Sequence, residues 1–470
     1  MTNPDHLESS ADRIETLEAE LARERALLRS TQQRLATKER EIRDIHRSRA
    51  WALVAAIRSL KVRLLDPLLG VFGISWPRRG AVEIGVSAKV EPRSDAHDVV
   101  CFSICEWEAR FQRPQQLMSL FAAAGHRVFY VSPHFRRDGP SCLITLKRRN
   151  VYEVTLRGKE LNVYAHRLGE DARDLLMEGL DSLVREASLG PTVALSPSVA
   201  MIQLPFWWPL ARLARERFGW PVVYDCMDFH AGFSTVRKAM ADQEDELLAE
   251  ADVVVASSAS LEQHALRKRK DVVLLRNAGD YEHFAKTPRA SNARPVIGYY
   301  GAIADWFDSA LVADLAERRP DWDFLLIGST YGADISRLAR MPNVSLPGEE
   351  PYESLPEWLG RFDVAIIPFK RTKLTEATNP VKVYEMLAGG KPIVSVPLPE
   401  VAALAPLVRL ASNADEFERE IAAVLAHPDE GIEERRAFAK EHTWERRFEV
   451  LQGVTTAAVR AHAGAPTHSR

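Results

Sequence analysis

Cysteine is scarce in this chain, with four residues in 470. Cys101, Cys105, Cys142 and Cys226 show neither zinc spacing nor a disulfide framework. That excludes a cystine-stapled secreted module and points to a reducing cytoplasm. Long apolar runs are missing as well: no stretch offers the roughly 20 apolar residues that a spanning helix needs. The first residues are polar and acidic, so no secretory signal is expected. Strong charge of one sign is also lacking. A net charge of -3 argues against bulk nucleic-acid binding. What remains has the composition of a globular protein, and 470 residues are too many for one ordinary core.

Residues 1–46 lack glycine, and proline occurs there only as Pro4. Leu7, Ile14, Leu21, Leu28, Leu35 and Ile42 recur every seven residues. The companion positions Ser10, Leu17, Glu24, Thr31, Lys38 and Ile45 are only half apolar. This pattern predicts a long helix forming a coiled coil, hence a homo-oligomer or a partner protein. A single solvated helix held by its Glu–Arg pairs is the alternative.

Residues 47–96 differ sharply. Ala50, Leu53, Ile57, Leu60, Leu64 and Leu68 form one apolar stripe at helical spacing. Arg47, Arg49, Arg58, Lys61, Arg63, Arg78 and Arg79 face Asp66 alone, between Trp51 and Trp76. A basic amphipathic helix of this kind suits an anionic membrane surface. The same stripe would also suit packing on a folded body. Residues 80–96 read as a linker.

From Asp98 the chain alternates strand and helix, the rhythm of a parallel sheet with crossover helices. DVVCFSI, HRVFYVS, LNVYAH, TVALS, PVVYD and DVVVAS are strand candidates in a first run. PVIGYYG, WDFLLIG, DVAIIPF and the strand after Lys391 form a second. The fold class is therefore α/β, with two Rossmann-like doubly wound domains behind the N-terminal helix. Ligands in such sheets lie beyond the carboxyl ends of the strands, so a cleft between the domains is the expected site.

Thr375–Val396 is the most informative stretch. Asn379 is placed to N-cap a short helix and Pro380 to open it, with Gly389-Gly390 stopping it. Such a helix start attracts anions, and Lys382 adds a full charge with Glu385 one turn further on. A nucleoside diphosphate would suit this layout; a surface Lys–Glu pair on a well-capped helix is the plain alternative. Gly301 follows the first strand of the second run, and RNAGDYEHF contains Asn277 in a turn. Asp225, Asp228 and His230 follow a strand end, where a general base or an acceptor-binding group would sit. Helix capping and a hydrogen-bonded histidine explain the same trio. Arg110 and Arg113 open the helix after the first strand, a candidate anion site.

RNAGDYEHF, VIGYYGAIADWFD, DWDFLLIG, FDVAIIPF and NPVKVYEMLAGGKPIVS occur in this order. Together they resemble the C-terminal half of GT-B glycosyltransferases, above all glycosyltransferase family 4 and its bacterial envelope-polysaccharide relatives. WEARFQRPQQLMSLFAAAGHRVFYVS and YDCMDFHAGF are similar to the N-terminal half. The resemblance implies an acceptor domain over 97–285, a donor domain over 286–455 and a disordered tail over 456–470. EHTWERRFEVLQGV would be the segment crossing back to the first domain. Glu385 would bind the ribose, with Gly301, Asn277 and the Asn379, Pro380 and Lys382 turn on the donor side.

The implied activity is transfer of a sugar from a nucleoside diphosphate sugar to a lipid-linked or glycan acceptor. Asp228, His230 and Lys382 are its candidate catalytic residues, with retention of configuration, at the cytoplasmic face of the membrane. Neither metal nor cofactor is expected. Asp321-Trp322-Asp323 mimics the metal motif of some sugar transferases, but it precedes a strand and reads as a turn. Two departures stand out. The family's glutamate pair would need Glu at Ala377, and Glu376 is one residue off register. Its usual Arg and Lys after the first C-terminal strand are replaced by Trp306, Phe307 and Asp308. A nucleotide-sugar epimerase and a catalytically silent coiled-coil scaffold are the competing readings.

Overall fold

A computed structural model describes residues 96–463, apart from 160, 188–196, 234–237, 290 and 331. The expected coiled coil and basic segment lie outside the described residues, as does the strand candidate TVALS at 192–196.

Short β-branched runs build two sheets among the described residues. The first contains β1 (Asp98–Phe102), β2 (Val128–Val131), β3 (Cys142–Arg148), β4 (Val151–Leu156), β5 (Ser198–Ile202), β6 (Val222–Cys226), β7 (Val253–Ala256) and β8 (Val273–Leu274). Their order is β3-β4-β2-β1-β5-β6-β7-β8, parallel throughout except for the antiparallel edge strand β3. The second contains β9 (Val296–Tyr300), β10 (Asp323–Ile327), β11 (Val344–Gly348), β12 (Val364–Ile367), β13 (Ile393–Ser395) and β14 (Val408–Leu410). It is wholly parallel in the order β11-β10-β9-β12-β13-β14. Each sheet thus has a point where strand order reverses, between β1 and β5 and between β9 and β12.

LNVYAH is not a strand. Asn162 Oδ1 accepts from Tyr164 N at 3.0 Å, and the Asn162 carbonyl accepts from Ala165 and His166. This side-chain turn wins over the β propensity of Val163 and Tyr164. The β3–β4 hairpin was not expected; Asn150, at φ 61, makes its turn possible.

Two apolar clusters fill the faces of the first sheet and a third fills the second domain. The helix Trp444–Ala463 crosses back to the first domain, where Phe448 meets Phe121 edge-on with ring centroids 4.9 Å apart. It covers residues 456–463 of the tail expected to be disordered; residues 464–470 lie outside the described residues. Thr455 and Val459 are buried against the first domain, so contacts extend the helix to Ala463.

Candidate functional site

The reversal point of the second sheet is built for close backbone approach. Gly301 leaves β9 at φ 126, and a Cβ there would lie 2.8 Å from Lys382 Cε. A Cβ on Gly328, at the end of β10, would overlap the Gly301 carbonyl. Only glycine fits either position. Lys382 stands in the first turn of the helix Val381–Ala388, whose start carries no side-chain cap. Its Nζ lies 5.0 Å from the Phe369 ring centroid and 5.3 Å from that of Tyr299. No hydrogen bond or ion pair engages that ammonium among the described residues. Burial pulls it down to about 8, against the upward pull of Glu385 and with a further downward push from Arg110. A cation at an uncapped helix start therefore lies against Gly301, the chemistry of an anion site.

Glu385 lies one turn along, buried, with Oε2 accepting from the Tyr300 hydroxyl at 2.9 Å. Burial raises its carboxyl to about 7, resisted by Tyr300 and Lys382. Its Oε1 has no hydrogen-bond partner among the described residues. Tyr300 and Gly328 were not singled out from sequence; both sit at strand ends beside the reversal point, which is the signal that would have found them.

Asn379 does not cap the helix. Pro380 occupies the cap position, and Asn379 instead joins the domains. Its Oδ1 accepts from Asn277 N at 3.0 Å, and its carbonyl accepts from Asn277 Nδ2 at 2.6 Å. Its Nδ2 donates to Glu400 Oε2 at 2.8 Å and to the Tyr384 hydroxyl at 3.2 Å. Arg113 is likewise not an open anion site. It is buried, paired with both oxygens of Asp225, and donates to the Leu275 carbonyl and Asn277 Oδ1 at 3.0 Å. With its donors committed this way it serves as a buried strut.

Arg110 does face the cleft. It is exposed, and its Nε meets Glu349 of the second domain at 2.6 Å. An exposed pair of this kind contributes little to stability and separates readily for a ligand.

Across the cleft, Asp228 is half-buried and His230 buried. Burial raises Asp228 to about 6, with Asp225 adding to the rise and Arg113 opposing it. Burial also lowers His230 to about 4, and its Nε2 has no partner among the described residues. Their turn touches the second domain: a Cβ on Gly232 would lie 3.0 Å from that of Leu374, and Phe233 meets Trp306 at 6.3 Å. Glu376 pairs with Arg371 at 3.2 Å, and the carbonyl of buried Ala377 accepts from Ser258. Asp321 pairs with Arg319, and Asp323 opens β10.

Comparison with known proteins follows the same division of the chain. Residues 112–278 match the family described as Glycosyl transferase 4-like domain, and residues 294–427 match Glycosyl transferases group 1. The putative teichuronic acid biosynthesis glycosyltransferase TuaH of Bacillus subtilis (strain 168) is 29% identical over 221 residues. That match covers 42% of this chain and 56% of TuaH, so the chain spans just over half the length of that relative. Sucrose-phosphate synthase from Thermosynechococcus elongatus superposes with a TM-score of 0.59 at 16% identity, over 78% of this chain and 100% of that one. Anabaena HepE in complex with UDP-glucose superposes with a TM-score of 0.58 at 13% identity, over 77% of this chain and 100% of that one. The shared architecture is GT-B.

Proposed function

We propose that this chain, which carries the glycosyltransferase 4-like and group 1 domains in tandem on a GT-B fold, transfers a sugar from a nucleoside diphosphate sugar to a lipid-linked or polysaccharide acceptor in cell-envelope glycan synthesis. The observation that carries this reading is the unpaired Lys382 ammonium over Gly301 at an uncapped helix start, with Glu385 one turn away. The diphosphate takes the amides and Lys382; the ribose hydroxyls take Glu385. The name of TuaH supports an envelope glycan as product, and the UDP-glucose complex of HepE supports the donor class.

Chemically, the acceptor oxygen bonds to the anomeric carbon while the bond from that carbon to the diphosphate oxygen breaks. The electron pair stays on the diphosphate, and the acceptor hydroxyl proton passes to it. Lys382 and the helix amides stabilise the developing charge, a task they perform without a metal ion. This route retains configuration at the anomeric carbon. Asp228 and His230, on the opposite wall, orient the acceptor hydroxyl. The basic segment at 47–79 holds the enzyme at the cytoplasmic face of the membrane, and the heptads before it make it oligomeric. No helix among the described residues is long and apolar enough to cross a membrane.

The test is calorimetry of nucleoside diphosphates on the native chain and on Glu385→Ala, with product configuration read by NMR. Weaker nucleotide binding in a folded variant is expected, because loss of a charged acceptor costs about 1.5–3 kcal/mol. Unchanged affinity would remove Glu385 from the site, and inversion would make Asp228 or His230 the base.

A further inference from the structure

The first domain holds a pocket away from the proposed donor site. It is a partly open pocket of about 360 Å³ between the first turns of the helices Glu170–Ala187 and Trp208–Phe218 and the flank of Lys238–Glu250. Three arginines line it, Arg167, Arg173 and Arg212, together with Glu170, Glu246 and Trp208. Their donors are poorly used. Arg167 approaches Glu246 only to 3.6 Å, and Arg173 reaches its neighbour Asp174 at 3.3 Å. Arg212 has no hydrogen bond or ion pair among the described residues. Trp208 is fully buried, and its Nε1 lacks an acceptor.

Guanidinium forks recognise oxyanions in pairs of parallel hydrogen bonds. Carboxylates are complementary partners for hydroxyl groups, which donate to them, and Glu170 and Glu246 supply two. The volume lies within the range of small-molecule sites. A sugar bearing a negative charge uses both sets of groups in such a space. The location agrees, because the helix Lys238–Glu250 also packs on the turn His230–Gly232. The cavity is therefore one helix removed from the wall proposed to orient the acceptor.

We infer that this cavity is a subsite for an anionic sugar of the acceptor glycan, a residue carrying carboxylate or phosphate that binds apart from the hydroxyl being glycosylated. The inference rests on the reading of the chain as a glycosyltransferase with a glycan acceptor.

The experiment uses the full chain with glucuronate, glucose 6-phosphate and glucose as probes, each followed by calorimetry and saturation-transfer NMR in excess nucleoside diphosphate. One or both charged sugars should bind and glucose should not; the preference between them identifies the oxyanion. Arg173→Gln with Arg212→Gln should weaken that binding by about tenfold or more, as loss of a charge-assisted hydrogen bond does. Nucleotide affinity should stay unchanged in the same variant, and Arg212→Lys, which keeps the charge without the fork, should fall between. Equal binding of glucose, no binding of either charged sugar, or full affinity in the double variant would overturn the subsite. If nucleotide fails to bind while charged sugars still do, the transferase reading falls and the cavity assignment stands.

Discussion

Replacing Lys382 with Met should make the empty protein more stable and the nucleotide complex weaker. The ammonium is held at about 8 where 10.5 is ordinary, with burial the main cause. A fall of that size corresponds to about 3 kcal/mol for keeping the charge in place. The side chain is only half-buried, so solvent screening reduces this to about 1–2 kcal/mol of recoverable stability. Met fills the same space against Phe369 and Tyr299 without a charge. Thermal unfolding of native and variant chains without nucleotide measures the gain. The sign can be checked with pH. Between about 8 and 10.5 the unfolded chain holds the Lys382 proton that the folded chain has released. Native stability therefore climbs through this window relative to the variant, and the gap closes. Nucleotide affinity should move the opposite way, falling by about tenfold or more as one charge-assisted contact is lost. In the native chain that affinity should rise as Glu385 ionises near 7 and decline as Lys382 loses its proton near 8. A variant that is no more stable and binds nucleotide as well as before would refute the reasoning.

Asn379→Ala should lower the melting temperature by the equivalent of about 2–4 kcal/mol, because Asn277 N and Glu400 lose a buried partner. Small-angle scattering should show a wider separation of the domains in that variant. Glu244→Gln should stabilise the protein at pH 8 by about 1–3 kcal/mol, since the buried carboxyl is raised to about 7 while its bond to the Tyr224 hydroxyl survives the change. The advantage should start to shrink as pH falls below 7, where the folded carboxyl takes up its proton, and vanish only near the ordinary value of 4.5, where the unfolded chain is protonated as well; a constant offset would argue against burial as the cause. Replacing Arg58, Lys61 and Arg63 with Gln should release the chain from anionic vesicles while sparing nucleotide binding, at about 1 kcal/mol for each charge. Sedimentation insensitive to both the substitutions and salt would favour a helix packed on protein.

The central strands of the second sheet were legible because VIGYY, FLLI and VAII are largely apolar runs of the kind buried in parallel sheets, whereas β5 (SVAMI), central in the first sheet, was not among the strand candidates. The edge strands were not. CLITLKR alternates buried and exposed positions, and VSLPG contains a proline, so neither resembles a central parallel strand. Within the site, Lys382, Glu385 and Gly301 could be grouped from sequence because they share one helix turn and one strand end. Asn379 and Arg113 could not be placed, because residue type does not reveal a partner about a hundred positions away. Asp225 lies 112 residues from Arg113, and Asn277 lies 102 from Asn379. A polar side chain at a helix start reads as a ligand for solvent or substrate until its neighbour is known.

The return of the last helix to the first domain has a mechanical consequence. The chain passes between the domains once near Gly279 and again near Thr443, and the two passages are bonded side by side, Gly279 N to the His442 carbonyl at 3.2 Å. Arg447 adds a second rivet, its Nε donating to the Arg276 carbonyl at 3.1 Å. A single tether would let one lobe swivel freely on the other, whereas two tethers fixed together form a door hinge with one axis. Any rotation of one lobe on the other is thereby confined to that axis, which ties the register of the Lys382 helix against the His230 turn to the paired crossings.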